Sequence, residues 1–249
     1  MRTLSIDCGG SGIKGAVLAE DSTMLTERLR HRVPYPMSPD AFVALLDEMA
    51  GELGEFDRAT IGMPGMIRHG VVIATPHYPT FAGPHSDVDP VLAAAWSGFD
   101  VQTRLAEMWS RPVLVLNDAQ VQGAAVITGQ GFEVIFTLGT GLGCAMFDDG
   151  QIEPKLEISR IPVRKGVIYD EWVGAAARRR IGRRKWNRRV LETIDGLRPM
   201  FMWDRLFLGG GEAKRLRIPL PPDVFLVPNI MGIRGGVRVW QLMAGEVLE

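Results

Sequence analysis

The chemical content of this sequence sits in three glycine-rich turns and one Asn-Asp pair. The first turn, Asp7-Cys8-Gly9-Gly10-Ser11-Gly12-Ile13-Lys14-Gly15, links two short apolar runs. Glycines let the backbone approach a phosphate closely and aim N–H groups at it. Asp7, at a strand end, is placed to hold Mg²⁺ directly or through water, and the Lys14 ammonium and Ser11 hydroxyl to meet phosphate oxygens. A plain hairpin with a permissive turn uses the same residues. The second turn is Leu138-Gly139-Thr140-Gly141-Leu142-Gly143. It opens no helix and lacks Gly-Lys-Ser/Thr, so it is neither a dinucleotide fingerprint nor a P-loop. Two such turns in one chain favour phosphate binding. The third segment, Leu206-Phe207-Leu208-Gly209-Gly210-Gly211-Glu212-Ala213, suits a flat ligand such as adenine, although a tight strand–helix corner needs the same glycines. Asn117-Asp118 ends an apolar run. A carboxylate there can take a proton from a hydroxyl as it attacks phosphorus, with Asn117 bonding the same substrate. An Asx helix cap explains the pair equally, and both roles can coexist.

The elements that must position these residues follow from periodicity and breakers. Thr3 to Asp7 and Ile13 to Ala19 read as a glycine-turned hairpin, with a third strand from Met24 to Val33 ended by prolines. Ser38 or Asp40 caps a helix from Ala41 to Leu53. Short strands are expected at 59–63, 71–75 and 113–116, with a long connection over 76–99 and a helix over 100–109. Val121 to Thr128 reads as helical. Glu133 to Leu138 and Cys144 to Phe147 form a second glycine-turned hairpin. Helices are expected over 169–181, 186–201 and 231–242, and strands over 206–208 and 224–227. The fold class is therefore α/β, with two domains of related architecture facing a cleft. The division expected is 1–116, completed by the C-terminal helix at about 231–249, and 117–230.

Composition fits a globular chain: 249 residues, 46% hydrophobic and 23% charged. That length buries a core without disulfides or structural metals. No run of 18 apolar residues and no signal-peptide pattern is present, and Cys8 and Cys144 make no secreted framework, so a cytoplasmic protein with no membrane partner is expected. The net charge of −1 hides an asymmetry. Residues 1–150 carry 9 Lys+Arg against 18 Asp+Glu, and residues 151–249 carry 19 against 11. Such a split can mark a polyanion partner.

Read together, Asp7-Cys8-Gly9-Gly10-Ser11-Gly12-Ile13-Lys14-Gly15, Gly62-Met63-Pro64-Gly65, Asn117-Asp118-Ala119, Leu138-Gly139-Thr140-Gly141-Leu142-Gly143 and Gly209-Gly210-Gly211 resemble, in this order, the ROK family of sugar kinases. Those kinases have the actin/hexokinase-like (ribonuclease H-like) fold. The Ser11-Gly12-Ile13-Lys14-Gly15 form looks most like polyphosphate glucokinases. The resemblance implies two domains closing on a hexose or related polyol, Mg²⁺, and ATP or polyphosphate as donor. By it, Asp118 is the general base. Asn117, Glu157, Pro64, Gly65 and Arg160 face the acceptor. Asp7, Gly9, Gly10, Ser11, Gly12 and Lys14 bind phosphate, as do Gly139, Thr140, Gly141 and Gly143, while Gly209, Gly210 and Gly211 lie on the nucleotide side. It also implies a homodimer.

The sequence departs from the family in three places. The cysteine-rich motif for a structural zinc is missing, as it is in polyphosphate glucokinases. Relatives commonly read Glu-Leu-Gly-His where this chain has Glu157-Ile158-Ser159-Arg160. Arginine cannot act as a neutral imidazole acceptor, which opens the choice of acceptor to anionic or differently hydroxylated sugars and to cyclitols, and admits a non-catalytic sugar or nucleotide sensor. An ATPase of the same fold is a further alternative. Gln120 stands where an acidic residue is expected.

Arg178, Arg179, Arg180, Arg183, Arg184, Lys185, Arg188 and Arg189 place eight cations within twelve residues. A polyphosphate track, a solvated helix face and a nucleic-acid surface all use such charge; nucleic acid is not expected, since Trp186 alone interleaves it. Cys8 and Cys144 each adjoin a glycine turn and are read as buried small hydrophobes before a redox pair. His69, His77 and His85 suit surface or substrate-loop positions, and Trp96 to Asp100 either closes over a sugar or packs in the core.

Overall fold

A computed structural model describes residues 1–84, 86–228 and 231–244. His85 and residues 245–249, part of the C-terminal helix range expected above, lie outside the described residues. The chain divides into two compact units: Met1–Ala125 with Gly232–Gln241, and Val126–Met231 with the residues from Leu242 onward.

In the first unit, β1 (Thr3–Gly9) and β2 (Gly12–Leu18) form an antiparallel hairpin with Gly9 opposite Gly12, and β3 (Leu29–His31) pairs with β2. The strand expected over 24–33 is thus three residues long, because the chain before it leaves the sheet after a single bridge between Leu18 and Met24. Helix α1 (Pro39–Leu53) starts at Ser38, whose hydroxyl accepts from Ala41 N–H (3.2 Å), and buries Phe42, Leu46 and Met49. β4 (Arg58–Met63) lies parallel to β1. The small hairpin β5 (Met66–Arg68) and β6 (Val71–Ala74) follows.

The long connection expected over 76–99 contains a helix, α2 (Pro90–Trp96). Asp89 caps it, accepting from Val91 and Leu92 N–H, with Pro90 at the first helical position, where a missing N–H costs nothing. Trp96 is a core residue rather than a sugar lid: it is 1% exposed, its Nε1–H donates to Met37 O (2.9 Å), and it packs with Phe42, Tyr78 and Phe99. Helix α3 (Val101–Trp109) leads to β7 (Val113–Asn117), parallel to β4. Helix α4 (Asp118–Ala124) begins directly after it, three residues before the expected start at Val121. The first sheet has the order β3-β2-β1-β4-β7.

The second unit repeats this plan. β8 (Phe132–Leu138) and β9 (Leu142–Asp148) form the hairpin, with β10 (Gln151–Ile152) on its edge. A 3₁₀ turn (Ile158–Arg160) and the small hairpin β11 (Pro162–Arg164) and β12 (Val167–Ile168) follow. The single helix expected over 169–181 is broken at Gly174 into α5 (Tyr169–Val173) and α6 (Ala175–Ile181). Helix α7 (Arg183–Phe201) precedes β13 (Arg205–Gly209), a 3₁₀ turn (Ala213–Arg215) and β14 (Val224–Leu226). The sheet order is β10-β9-β8-β13-β14, with β13 parallel to both β8 and β14.

Helix α8 (Met231–Met243) returns the chain to the first unit, whose boundary falls after Ala125 rather than after residue 116. Ile233 and Val237 pack with Ala16 and Leu18. Buried Ser5 and Thr60 donate their hydroxyls to Ile233 O (2.7 Å) and Gly236 O (2.6 Å). Such closeness requires glycine: a Cβ on Gly235 would fall inside the Val121 carbonyl oxygen, and one on Gly236 inside the Ser5 side chain. Gly235→Ala is expected to cost about 2 kcal/mol net of its helix-propensity gain and to lower Tm by roughly 4–8 °C. Gly51→Ala, in α1 with nothing within 4 Å of its Cβ, raises Tm slightly. Thermal melts of both variants check the contrast.

Candidate functional site

In the first unit, three strand ends lie side by side. Asp7 on β1 is in register with Gly62 on β4, and Met63 on β4 with Asn117 on β7. The carboxyl ends of these parallel strands therefore bring together Asp7 with the turn Gly9–Gly12, Pro64-Gly65, and Asn117-Asp118. Ligands of open α/β sheets bind at that edge.

Asn117 is buried, and its amide hydrogens go to Met63 O (3.2 Å) and Gly65 O (2.9 Å), while its Oδ1 accepts from Ala119 N–H (3.0 Å). The Gln120 side chain accepts from Asn117 N–H (3.2 Å), completing a capping box. Gln120, set aside above as a departure, thus has a role that the Asn-x-x-Gln spacing signals. Gly65 has φ +108° and faces Ala74 O and Thr75, so its turn tolerates no side chain. Thr75, missed by sequence reasoning, has a buried hydroxyl beside that turn with no hydrogen-bond partner. Asp118 opens α4, half-buried, with its Oδ1 near Ala119 N (2.9 Å).

The Asp7 carboxylate lies 3.3 Å from Lys14 Nζ. Gly232 of α8 faces it without a Cβ, which would sit 3.3 Å away. An open, lysine-balanced carboxylate is a hard-oxygen donor suited to Mg²⁺, so the residues fit that ion. Cys8, the next residue on β1, is buried in the first unit's core. Burial, then Asp7 and Asp118, push its thiol well above the usual range. Among the described residues, His31, Glu48 and Glu52 also lie close enough for an ion, a grouping explained by the His31 Nε2–Glu52 Oε1 contact of 2.8 Å.

In the second unit, Gly139-Thr140-Gly141 connects β8 to β9, and Gly143 lies on β9 opposite Thr137. Gly139 N–H donates to Gly141 O (3.1 Å). The break at Gly174 serves this turn: a Cβ there would strike Thr140 O, and Ala175 N–H donates to Gly139 O (2.9 Å). Asp170 accepts from Leu142 N–H (2.7 Å) and fills the place of a Cβ on Gly141. Neither Asp170 nor Gly174 was singled out from the sequence, since only tertiary contact reveals them. β13 ends beside the same turn: Gly210, at φ +85°, packs on Leu138 O, and Glu212 N–H donates to that carbonyl (2.9 Å). Arg178 of α6 pairs with Glu212. The structure thus joins the Gly139–Gly141 turn with Gly209–Gly211.

Glu157 precedes the 3₁₀ turn and accepts from the Ser159 hydroxyl (2.6 Å). Lys155, whose side chain is 3% exposed, puts Nζ 3.7 Å from Glu157 Oε2; it too was missed. Arg160 is exposed. Trp186 is fully buried and donates to Val173 O (2.7 Å), so it interleaves no surface cations.

Both units, each with a hairpin-led five-stranded sheet and glycine turns at its strand ends, define the actin/hexokinase-like fold. Residues 3–153 match the sequence model of the ROK family, more than half of the chain, and the chain belongs to that family. It is 27% identical over 220 residues to a polyphosphate glucokinase of Mycobacterium tuberculosis, covering 84% of this chain and 77% of that protein. The Mycobacterium leprae protein of the same name is 26% identical, with 94% and 73% covered. The crystal structure of an inorganic polyphosphate/ATP-glucomannokinase from Arthrobacter sp. strain KM superposes with TM-score 0.78 at 26% identity, covering 98% of this chain and 99% of that one. A ROK family glucokinase from Streptomyces griseus shares the fold at TM-score 0.74 and 16% identity. No helix among the described residues is long and apolar enough to cross a membrane.

Cys144, like Cys8, is buried, and burial pushes its thiol up to about 12. A thiol held protonated is a poor nucleophile. Alkylation of the native protein by iodoacetamide at pH 8 is expected to be slow at both cysteines and fast after unfolding; rapid native labelling of either would contradict the burial.

Proposed function

We propose that this chain is a Mg²⁺-dependent carbohydrate kinase that transfers a phosphoryl group from ATP or polyphosphate to a hydroxyl of a glucose-like hexose. The observation that carries the reading is the register of β1, β4 and β7, which sets the Gly9–Gly12 turn, the Pro64-Gly65 turn and an Asn-Asp pair along one sheet edge. The similarity to polyphosphate glucokinases and a glucomannokinase supports it.

In this mechanism the acceptor lies against Pro64 and Gly65, a turn that Asn117 holds rigid, and Glu157 accepts from its hydroxyls. Asp118 takes the proton of the attacking hydroxyl as the new O–P bond forms and the bond to the donor's leaving oxygen breaks. Backbone N–H groups of the turns at Gly9–Gly12 and Gly139–Gly143, with Lys14, meet the charge on the transferred group. The glycines at 209–211 lie on the nucleotide side when ATP is the donor. Mg²⁺, held by Asp7 directly or through water, would neutralise phosphate charge.

The arginine-rich segment favours polyphosphate as a donor. Arg183, Arg184 and Lys185 are exposed in the first turn of α7, where cations oppose the helix dipole. Arg164 and Arg189 stack on Trp172, at 4.1 and 3.7 Å from its ring centre. Burial, then Arg180 and Arg164, lower the proton affinity of Arg189. Cations gathered against their own electrostatics suit a phosphate chain.

A second reading, a sugar-binding sensor without turnover, draws on Arg160 where relatives carry histidine. Phosphoryl transfer to hexoses, amino sugars and cyclitols with Mg²⁺ and either donor separates the two. Asp118→Asn is expected to retain Tm and acceptor binding and to lose at least about a hundredfold in kcat. Full activity in that variant defeats the base assignment, and sugar binding without transfer in the parent protein favours the sensor. For the donor, tripolyphosphate affinity is expected to fall at least about tenfold between low and moderate salt. Replacing Arg183, Arg184 and Lys185 by glutamine should weaken it further without lowering Tm. A flat salt response with unchanged affinity would leave the segment a solvated face.

A further inference from the structure

The first glycine turn is braced from behind by residues that no motif contains. The Tyr35 hydroxyl donates to Gly10 O. His77 and Pro84 press on the same glycine: a Cβ there would lie 3.0 Å from His77 Cδ2 and 2.9 Å from Pro84 Cγ. Tyr35 is itself seated against Gly83, which has φ +97° and whose Cβ would come 3.3 Å from the ring.

Tyr35 grips the turn through a polar atom, its hydroxyl. The peptide between Gly10 and Ser11 is trans. In a planar trans peptide the carbonyl and the following N–H point in opposite directions. Holding Gly10 O therefore fixes the direction of Ser11 N–H, away from Tyr35. Glycine supplies room for a phosphate but no stiffness, and an unbraced Gly10-Ser11 turn could rotate this peptide plane.

We propose that Tyr35 is a positioning residue for the phosphoryl donor: its hydroxyl locks the Gly10–Ser11 peptide so that the Ser11 N–H is preset toward the donor's phosphate oxygens. This rests on the kinase reading of the Gly9–Gly12 turn. A preset donor needs no reorganisation when charge arrives, and without the lock the ordering cost is charged to ligand binding. Burial raises the Tyr35 phenol to about 12, so the hydroxyl keeps its proton and stays a donor at neutral and mildly alkaline pH.

The test is Tyr35→Phe in the full chain, which keeps the ring on Gly83 and removes one oxygen. Calorimetric titration with Mg-ATP and with tripolyphosphate reads binding, and steady-state kinetics reads transfer. Affinity for both phosphate ligands should fall about three- to tenfold, the worth of one neutral hydrogen bond. Donor KM should rise by the same factor while acceptor KM stays within about twofold and Tm is unchanged. A residue serving only stability would lower Tm and leave the donor–acceptor contrast flat. Tyr35→Phe with parental phosphate affinity overturns the proposal, as does a parent protein that binds neither ligand. A parent that binds both but transfers nothing defeats the kinase reading alone, and the binding comparison then decides the role of Tyr35.

Discussion

One buried carboxamide holds the strand-end edge of the first unit's sheet together. The Asn117 side chain spends its two hydrogens on the carbonyls of Met63 and Gly65 and its oxygen on Ala119 N–H. It thereby ties the end of β4, the Gly65 turn and the start of α4 at a single point. A buried carbonyl left without a partner costs about 1–3 kcal/mol, which is the scale of what the amide offsets at Met63 O and Gly65 O. Asp118 follows immediately in the chain, so the cap at Asn117 fixes where its backbone enters α4. A capping residue and the residue proposed as the base can therefore be adjacent for one physical reason: the cap defines where the helix begins, and the helix begins at the strand end.

The two glycine turns obey a common rule. Neither is rigid by composition, and each is made so from outside. Tyr35, His77 and Pro84 surround Gly10. Asp170, Gly174 and Ala175 surround Gly139–Gly141. The braces differ in kind: the first is a phenol and a wall of side chains, the second a carboxylate and a broken helix. The two sheets repeat a strand order, yet the devices that stiffen their turns are not copies.

Much of this was legible in the residues. The two hairpins, helix α1 and the runs that became β4, β7, β8 and β13 were visible in apolar periodicity and in Gly and Pro punctuation, and the motifs in their order pointed to the family. What escaped reading depends on distant contacts. The break at Gly174 exists because Thr140 O lies against it, and no local signal in Tyr169–Ile181 says so. Trp96 sat in a stretch read as a connection, where the Asp89-Pro90 start of α2 was present but outweighed by the surrounding prolines and glycines. The unit boundary moved from 116 to 125 because α4 packs on β4 and β7. The expectation of a helix beginning at Val121 failed because Asn117 caps a helix that begins three residues earlier, at Asp118.

The return of α8 has a consequence for how the protein is made. Ser5 and Thr60 are buried and donate to carbonyls of Ile233 and Gly236, more than 170 residues later in the chain. On the ribosome the strands carrying them emerge early, while their partners appear only after residues 126–228 have been synthesised. The second unit therefore has its own sheet strands available before the first unit can close. Until then the first sheet has two hydroxyls and an apolar face uncovered, for a time set by the rate of translation.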